Sequence, residues 1–491
     1  MSTNRIIAFV ITPIIALLMI IFQPLDAGIA ANNMAAVALL MAVWWITEIV
    51  PLAVTALLPI VLFPFLGIMD GKATSNTYYN YIIFLFIGGF IIALALQKWN
   101  LHKRIALKIL MLTGTSPAKI LLGFMLATSF LSMWISNTAT TMMMLPILLS
   151  VLGNLEELYG KENLKKYSIG LLLGVAYSSS IGGIATLIGT PPNPIFAQIY
   201  QINFPQNAEI SFSQWMVFAL PLSAIMFVIM YILLYFLFAK GQRKIWKGDS
   251  GVDFSKEYQK LGSINFEERI VFIIFITTAL LWMTRSALNI GNFHFAGWAS
   301  LLAHPKYLND GTVAIMMGLL LFLIPAKQKE KGMLMDWETV KKMPWGIILL
   351  FGGGFALASG FKESGLAEYL GYQLQALQSL HPLVIIFAIS AIMIFLTELT
   401  SNSSSTTMIL PILATLAVST NIHPLMLMLP ATFAASMAFM LPVATPPNAI
   451  VFGSNRLHIK DMARTGLILN IIGITVISLW TYYFAPSFFG F

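Results

Sequence analysis

Apolar runs long enough to cross about 30 Å of hydrocarbon as helices fall near 6–25, 33–50, 52–68, 80–97, 168–200, 214–239, 269–290, 311–326, 344–361, 424–453 and 464–486. Two further apolar stretches, 119–152 and 382–417, carry polar residues near their middle. Each spans roughly 35 residues, whereas two complete crossings need about 40 plus a turn. Each is therefore predicted to enter and leave on one side, as a re-entrant hairpin. Pro191-Pro192 and Pro446-Pro447 lie inside the runs 168–200 and 424–453. Paired prolines remove two backbone donors and clash with the preceding turn, so both spans are predicted to unwind there. The pattern predicts an all-α polytopic membrane protein with about 11 transmembrane helices plus two re-entrant hairpins.

The polar interruptions repeat in register. Phe86, Gly88, Gly89, Phe90, Leu101, Ser136 and Asn137 recur 265 positions later as Phe351, Gly353, Gly354, Phe355, Leu366, Ser401 and Asn402. At the same offset Ser132 is matched by Thr397, which keeps the hydroxyl. Thr190-Pro191-Pro192-Asn193 recurs as Thr445-Pro446-Pro447-Asn448 at an offset of 255, a difference that the longer loop near 154–166 absorbs. The reading divides the chain into an extra first span (1–32), a first repeat (33–240), a linker (241–268) and a second repeat (269–491). At about 19 residues the first apolar run is long for a cleaved signal peptide, which argues for a retained span.

Composition confirms the solvent. Only 10% of the 491 residues are charged and 58% are hydrophobic, against about 25% charged in soluble domains. The chain has no cysteine and six scattered histidines, which gives no basis for disulfides, thiol chemistry or a histidine metal site. The net charge of +8 raises the question of a nucleic-acid partner, but topology absorbs it. With the N-terminus in the cytoplasm, all of the 28 basic residues except Lys72, Arg285, Lys306 and Lys362 fall in cytoplasmic segments. That is the positive-inside distribution, and no nucleic acid is needed to explain it. Five spans per repeat then place the two copies upside down relative to each other. The first hairpin opens from the cytoplasm and the second from outside. Inverted repeats with a midplane site are a recurring architecture of secondary transporters.

The phrases around Ser136-Asn137-Thr138 and Ser401-Asn402-Ser403 are neutral and rich in oxygen. Hydroxyls, amide oxygens and the carbonyls freed at the helix breaks suit a hard cation such as sodium. Asn137, Thr138, Asn402 and Ser403 also donate hydrogen bonds, and half-helix N-termini favour anions. A carboxylate entering low dielectric beside a cation costs less than either ion alone, which favours coupled movement. Isolated Ser and Asn residues in membranes are commonly interhelical contacts. Here the pair, its upstream hydroxyl and a downstream double proline recur together, which a packing role does not require. Glu48 and Glu398 raise proton coupling, but Glu398 has Met133 at the equivalent position and reads as a hydrogen-bonded structural acid. Gly88-Gly89 and Gly352-Gly353-Gly354 lack a following Lys-Ser/Thr and read as helix-packing sites rather than a phosphate loop.

The phrases "SMWISNTATTMMMLPI", "SIGGIATLIGTPPN", "LTSNSSSTTMILPI" and "AFMLPVATPPNAIVF", with nearly the whole chain from about 35 to 486, resemble the divalent anion/sodium symporter (DASS) family of di- and tricarboxylate transporters. The resemblance implies an ion-transporter-superfamily elevator fold. It also implies a homodimer in which each protomer has a fixed scaffold and a mobile transport domain holding both hairpins, the broken spans and the spans after them. It places one sodium site at Ser132, Ser136, Asn137 and Gly189, and its inverted partner at Thr397, Ser401, Asn402 and Ala444. Substrate carboxylates would be held by Asn137, Thr138, Asn402 and Ser403, with Thr190, Thr445 and Pro446 beside them. The second phrase reads Ser-Asn-Ser where the family has Ser-Asn-Thr, which keeps the hydroxyl and drops a methyl.

The expected function is a transporter, not an enzyme, since no Ser/Lys, His/Asp or metal constellation appears. It would move C4-dicarboxylates of the succinate, malate and fumarate class with Na+, through two or more sodium sites. The alternative is a sodium-independent dicarboxylate exchanger; an anion channel is disfavoured by paired hairpins in inverted halves. The expected location is the plasma membrane, the cell's inner membrane, surrounded by lipid.

Overall fold

The computed structural model describes residues 3–244, 253–290, 293–328 and 332–491, and they are helical almost throughout. Among them, eight helices are long and apolar enough to cross a membrane, and six shorter apolar helices of 10–17 residues accompany them. The first helix, Thr3–Phe22, is followed by Gly28–Thr47, a pair of short helices Leu52–Thr55 and Leu58–Phe65, and Tyr81–Lys98. The first hairpin comprises Pro117–Ser132 and Asn137–Tyr159. The first broken span comprises Lys161–Ile184 and Pro192–Asn203, and Phe212–Leu234 closes the repeat. The second repeat runs through Phe266–Arg285, Asp310–Leu323, Trp345–Glu363, the hairpin Pro382–Thr397 and Asn402–Thr420, the broken span Pro424–Ala435 and Pro446–Phe452, and Ile459–Phe489. A small two-stranded antiparallel sheet, Leu288–Ile290 with Phe293–Phe295, links the first two of these spans.

Sequence explains the boundaries. Each hairpin opens with a capping residue followed by proline: Ser116 accepts from Lys119 N, and His381 accepts from Leu383 N. Proline at the first helical position wastes no donor, because that N–H is free anyway. At 16 residues each, the entering helices reach about 24 Å, too short to cross. The two copies keep the 265-residue offset at both ends.

Three boundaries differ from the sequence reading. Gly28–Thr47 begins inside the predicted N-terminal segment, before residue 33. Phe266–Arg285 begins three residues before the predicted second repeat, because Asn265 and Glu268 form a reciprocal capping box. The linker is not a plain loop: Phe254–Gln259 is helical, and Phe254 packs in a T-shape on Phe124 of the first hairpin. Linker positions 245–252, Lys247 among them, and Lys329 and Lys331, between Asp310–Leu323 and Trp345–Glu363, lie outside the described residues.

The charged segments meet at one end of the bundle. Lys98 pairs with Asp336 at 2.6 Å, and Trp99 donates to the Leu334 carbonyl at 2.8 Å. The Lys98 ammonium holds the Asp336 carboxyl below the usual carboxylate range. Arg104 pairs with Glu268 at 2.9 Å, both nearly buried, and Arg456 pairs with Glu156. Because Lys98 ends Tyr81–Lys98 while Asp336 precedes Trp345–Glu363, these equivalent spans run in opposite directions. Glu156, at the base of the first hairpin, meets Arg456 just before the start of Ile459–Phe489. His423, at the base of the second hairpin, instead stacks on Phe491 at the far terminus of Ile459–Phe489. The hairpins therefore enter from opposite ends. Arg285 lies at that far end, paired with Asp310, whose other oxygen accepts from Phe212 N at 2.8 Å.

The predicted glycine packing holds. A Cβ on Gly353 would collide with the Ala56 backbone, and one on Gly88 with the Ala314 backbone. Such approaches bring helix axes close without hydrophobic driving force between them.

Candidate substrate and ion site

The two hairpin tips and the two breaks line one cavity of about 810 Å³. Of the residues singled out from sequence, Ser136, Asn137, Thr138, Gly189, Thr190, Ser401, Asn402, Ser403, Ala444, Thr445 and Pro446 line it. Ser132 and Thr397 do not. They stand fully buried one layer behind, each hydrogen-bonded to its asparagine.

The geometry around these two hydroxyls repeats. Ser132 Oγ lies 2.7 Å from Asn137 Oδ1 and 2.6 Å from the Ser179 carbonyl. Thr397 Oγ1 lies 2.7 Å from Asn402 Oδ1 and 3.0 Å from the Ala435 carbonyl. A hydroxyl carries one hydrogen and so satisfies one of two acceptors. In the first cluster the Asn137 side-chain oxygen faces Ser132 Oγ, the Ser179 carbonyl at 3.0 Å and the Gly189 carbonyl at 3.2 Å. Turned so that its NH2 faces inward, the Asn137 amide donates to all three of these oxygens; turned with its oxygen inward, it would join them as an oxygen ligand set for a cation. Three neutral ligand types at this spacing suit a hard monovalent ion, and none of these groups carries a formal charge.

The breaks are held open by the last residue of each repeated proline phrase. Asn193 Nδ2 donates to the Thr186 carbonyl at 2.7 Å and the Gly183 carbonyl at 3.2 Å. Asn448 Nδ2 donates to the Leu441 carbonyl at 3.0 Å and the Ala438 carbonyl at 3.2 Å. Both side chains are fully buried. Each tie consumes carbonyls that unwinding would otherwise leave bare in hydrocarbon, which fixes the shape of the break. The sequence signal for this task is the matching position of the two asparagines, each closing its Thr-Pro-Pro-Asn phrase.

A second support lies behind the second tip. Glu398 Oε1 accepts from Phe439 N at 2.8 Å, Met440 N at 2.9 Å and Asn470 Nδ2 at 2.7 Å, while Oε2 accepts from Leu441 N at 3.0 Å. Glu398 is 3% exposed. These four hydrogen bonds fasten the tip to the break, and the side chain of the equivalent Met133 has no oxygen to make them.

For an anion the cavity offers helix ends. Asn137–Tyr159 and Asn402–Thr420 both begin at the cavity wall, with Ser136 and Ser401 as their capping residues. Their first-turn N–H groups and the positive ends of their dipoles favour carboxylate oxygens. The tips carry no formal charge, so a bound dianion and bound cations would neutralise each other.

Gly183 marks how tightly the first cluster is drawn. A Cβ there would overlap Asn137 Oδ1. Gly183→Ala is expected to push the amide out of the cluster and raise the sodium concentration for half-maximal transport by about tenfold, roughly 1.4 kcal/mol. Sodium titration of transport in reconstituted vesicles checks this.

Comparisons with known proteins place the chain among transporters. The sequence model of the sodium:sulfate symporter transmembrane region matches residues 4–489. The chain is similar to the sodium-dependent dicarboxylate transporter SdcS of Staphylococcus saprophyticus, at 43% identity covering 100% of this chain and 93% of that one. It is 44% identical to SdcS of Staphylococcus aureus with the same coverage. Among solved structures it resembles the YdaH transporter of Alcanivorax borkumensis, with a TM-score of 0.55 at 12% identity over 86% of this chain and 91% of that one. It also resembles MtrF of Neisseria gonorrhoeae, described with a class of antimetabolite efflux pumps, with a TM-score of 0.51 at 14% identity over 84% of each chain. These structural likenesses concern the fold alone.

Proposed function

The chain belongs to the sodium:sulfate symporter family, and from that premise we propose that it is a secondary transporter coupling Na+ to the uptake of C4-dicarboxylates such as succinate, malate and fumarate. The observation that carries this reading is the pairing of two oxygen clusters, one behind each tip, across one cavity that both hairpins line. The naming of SdcS as a sodium-dependent dicarboxylate transporter supports the choice of cargo. One sodium ion is held by Ser132, Ser136, Asn137 and Gly189, and another by Thr397, Ser401, Asn402 and Ala444. Between them Asn137, Thr138, Asn402 and Ser403 hold the two carboxylates, with Thr190, Thr445 and Pro446 completing the wall.

The protein is an integral plasma-membrane homodimer with its N-terminus and basic end in the cytoplasm. Movement of the hairpins, broken spans and following spans as one body would carry the site across, in the manner of an elevator. A site assembled from both repeats supports this, since both tips must travel together to stay a site. The mutual neutralisation of cargo charges explains why transport needs sodium: a dianion alone would meet no formal positive charge at the tips.

Uptake of labelled succinate into proteoliposomes, with and without an inward sodium gradient, is the test. Uptake that collapses without sodium is expected. Undiminished counterflow of succinate in sodium-free medium would instead identify an exchanger and overturn the symport reading.

A further inference from the structure

The proposed cargo carries both signs of charge, and the cavity wall carries one fixed charge of each sign. Among the described residues lining it, Lys342 is the basic side chain and Glu48 the acidic one. Neither belongs to the tips. Lys342 lies just before Trp345–Glu363 and Glu48 just after Gly28–Thr47, on elements outside the hairpins and breaks.

Glu48 breaks two local rules at once. It closes its helix in the left-handed conformation, with φ 47° and ψ 42°, where glycine or asparagine is the ordinary residue. It also adds negative charge to the helix end whose carbonyls are already negative. No ion pair among the described residues offsets it, and its side chain is exposed toward the cavity. Such departures from local preference point to a task other than stability.

Lys342 stands out among its neighbours in the same way. Lys98 is neutralised by Asp336 and Lys341 by Glu338, both at 2.6 Å. Lys342 has no carboxylate partner among the described residues, and its side chain is exposed. It therefore presents a full positive charge at the basic end of a cavity whose inner wall is neutral. Low-dielectric walls focus the field of such a charge and raise the local concentration of its counter-ion.

We propose that Lys342 and Glu48 recruit the two cargoes from the basic face, Lys342 drawing the dicarboxylate and Glu48 the sodium ion. This deepens the transport reading above and rests on it. The pair acts before the tips engage, so it sets apparent affinity from one face rather than the turnover of the loaded protein. One charge of each sign also keeps the vestibule from favouring one cargo over the other. Both residues are positioning residues, since the bound state is held by the tips.

Inside-out vesicles present the basic face to the medium and right-side-out vesicles present the other. In inside-out vesicles at low ionic strength, K342Q is expected to raise the half-saturating succinate concentration about fivefold, with maximal rate and half-saturating sodium retained. E48Q is expected to raise half-saturating sodium by a similar factor, with half-saturating succinate at saturating sodium retained. Both shifts should vanish in about 1 M choline chloride, where the screening length is about 3 Å. In right-side-out vesicles both variants should match the parent, and K341Q, whose charge Glu338 already satisfies, should match it in both.

Equal shifts at the two faces, shifts that survive high salt, or no shift in either variant would overturn the proposal while leaving sodium-coupled transport standing. Unaltered protein that takes up no succinate with sodium would overturn the transport reading first, and this proposal with it.

Discussion

Asn402→Ala and Asn137→Ala are each expected to lower sodium-driven transport by more than about a hundredfold. Each asparagine stands where two ligands meet. Its side-chain amide belongs to the cluster behind the tip, 2.7 Å from Thr397 Oγ1 or Ser132 Oγ, and its residue also lines the cavity. A hydrogen bond or ligand contact to a charged group contributes about 1.5–3 kcal/mol. Losing one toward the cation and one toward a carboxylate removes about 3–6 kcal/mol, which exceeds the 2.7 kcal/mol of a hundredfold change. The fold should tolerate the change, because both side chains are only half-buried, and Ser136 keeps its cap bond to Ala139 N in the first helix. Purified variants should thus elute as the parent does while failing to accumulate substrate. If the two clusters serve one composite site, the double variant should be no worse than either single one. Retention of more than about a tenth of parental transport by both single variants would refute the assignment.

The hairpins and breaks were legible in the sequence because hydrocarbon leaves few alternatives for a polar phrase or a double proline. The 265-residue offset reappears in the helix ends, with Pro117–Ser132 answered by Pro382–Thr397. Charge placement foretold the opposite directions of Tyr81–Lys98 and Trp345–Glu363, which the pairing of Lys98 with Asp336 bears out.

What escaped detection had no apolar run to announce it. Leu101–Thr113 and Leu366–Leu374 are amphipathic helices in equivalent places. Lys103, Arg104 and Lys108 marked the first only as part of a cytoplasmic segment, and Arg104 is buried against Glu268. Backbone partners were equally silent: the Ser179 carbonyl, inside Lys161–Ile184, and the Ala435 carbonyl, at the end of Pro424–Ala435, accept from Ser132 and Thr397 only because packing brings those helices to the tips. The side chains that hold the breaks, Asn193 and Asn448, lie inside the repeated proline phrases, but their partners are carbonyls that no residue code reveals. Lys342 was one basic residue among many in a positive-inside tally, and only the cavity separates it from Lys341.

The second large effect belongs to Glu398, where stability and function can be told apart. Glu398→Ala removes the acceptor of three backbone N–H groups and the Asn470 amide. Leaving such donors buried and unpaired costs about 1–3 kcal/mol apiece where water cannot reach them. Partial relaxation still leaves an expected loss of about 3–5 kcal/mol, comparable to breaking a buried ion pair. Glu398→Gln keeps the shape but replaces one acceptor oxygen by an NH2 that must face N–H groups, so one side of the fork fails. An intermediate loss of about 1–3 kcal/mol follows. Thermal unfolding in detergent should rank parent, Gln and Ala in that order. Because Glu398 shapes the 436–445 break on which Ala444 and Thr445 sit, sodium affinity should fall along the same ranking. A carboxyl that carried protons through the cycle would behave differently: the Gln variant would keep its unfolding temperature and lose the pH dependence of transport. The four donors converging on this one carboxylate favour the first outcome, in which the acid is a fastening that lets a neutral tip hold a cation.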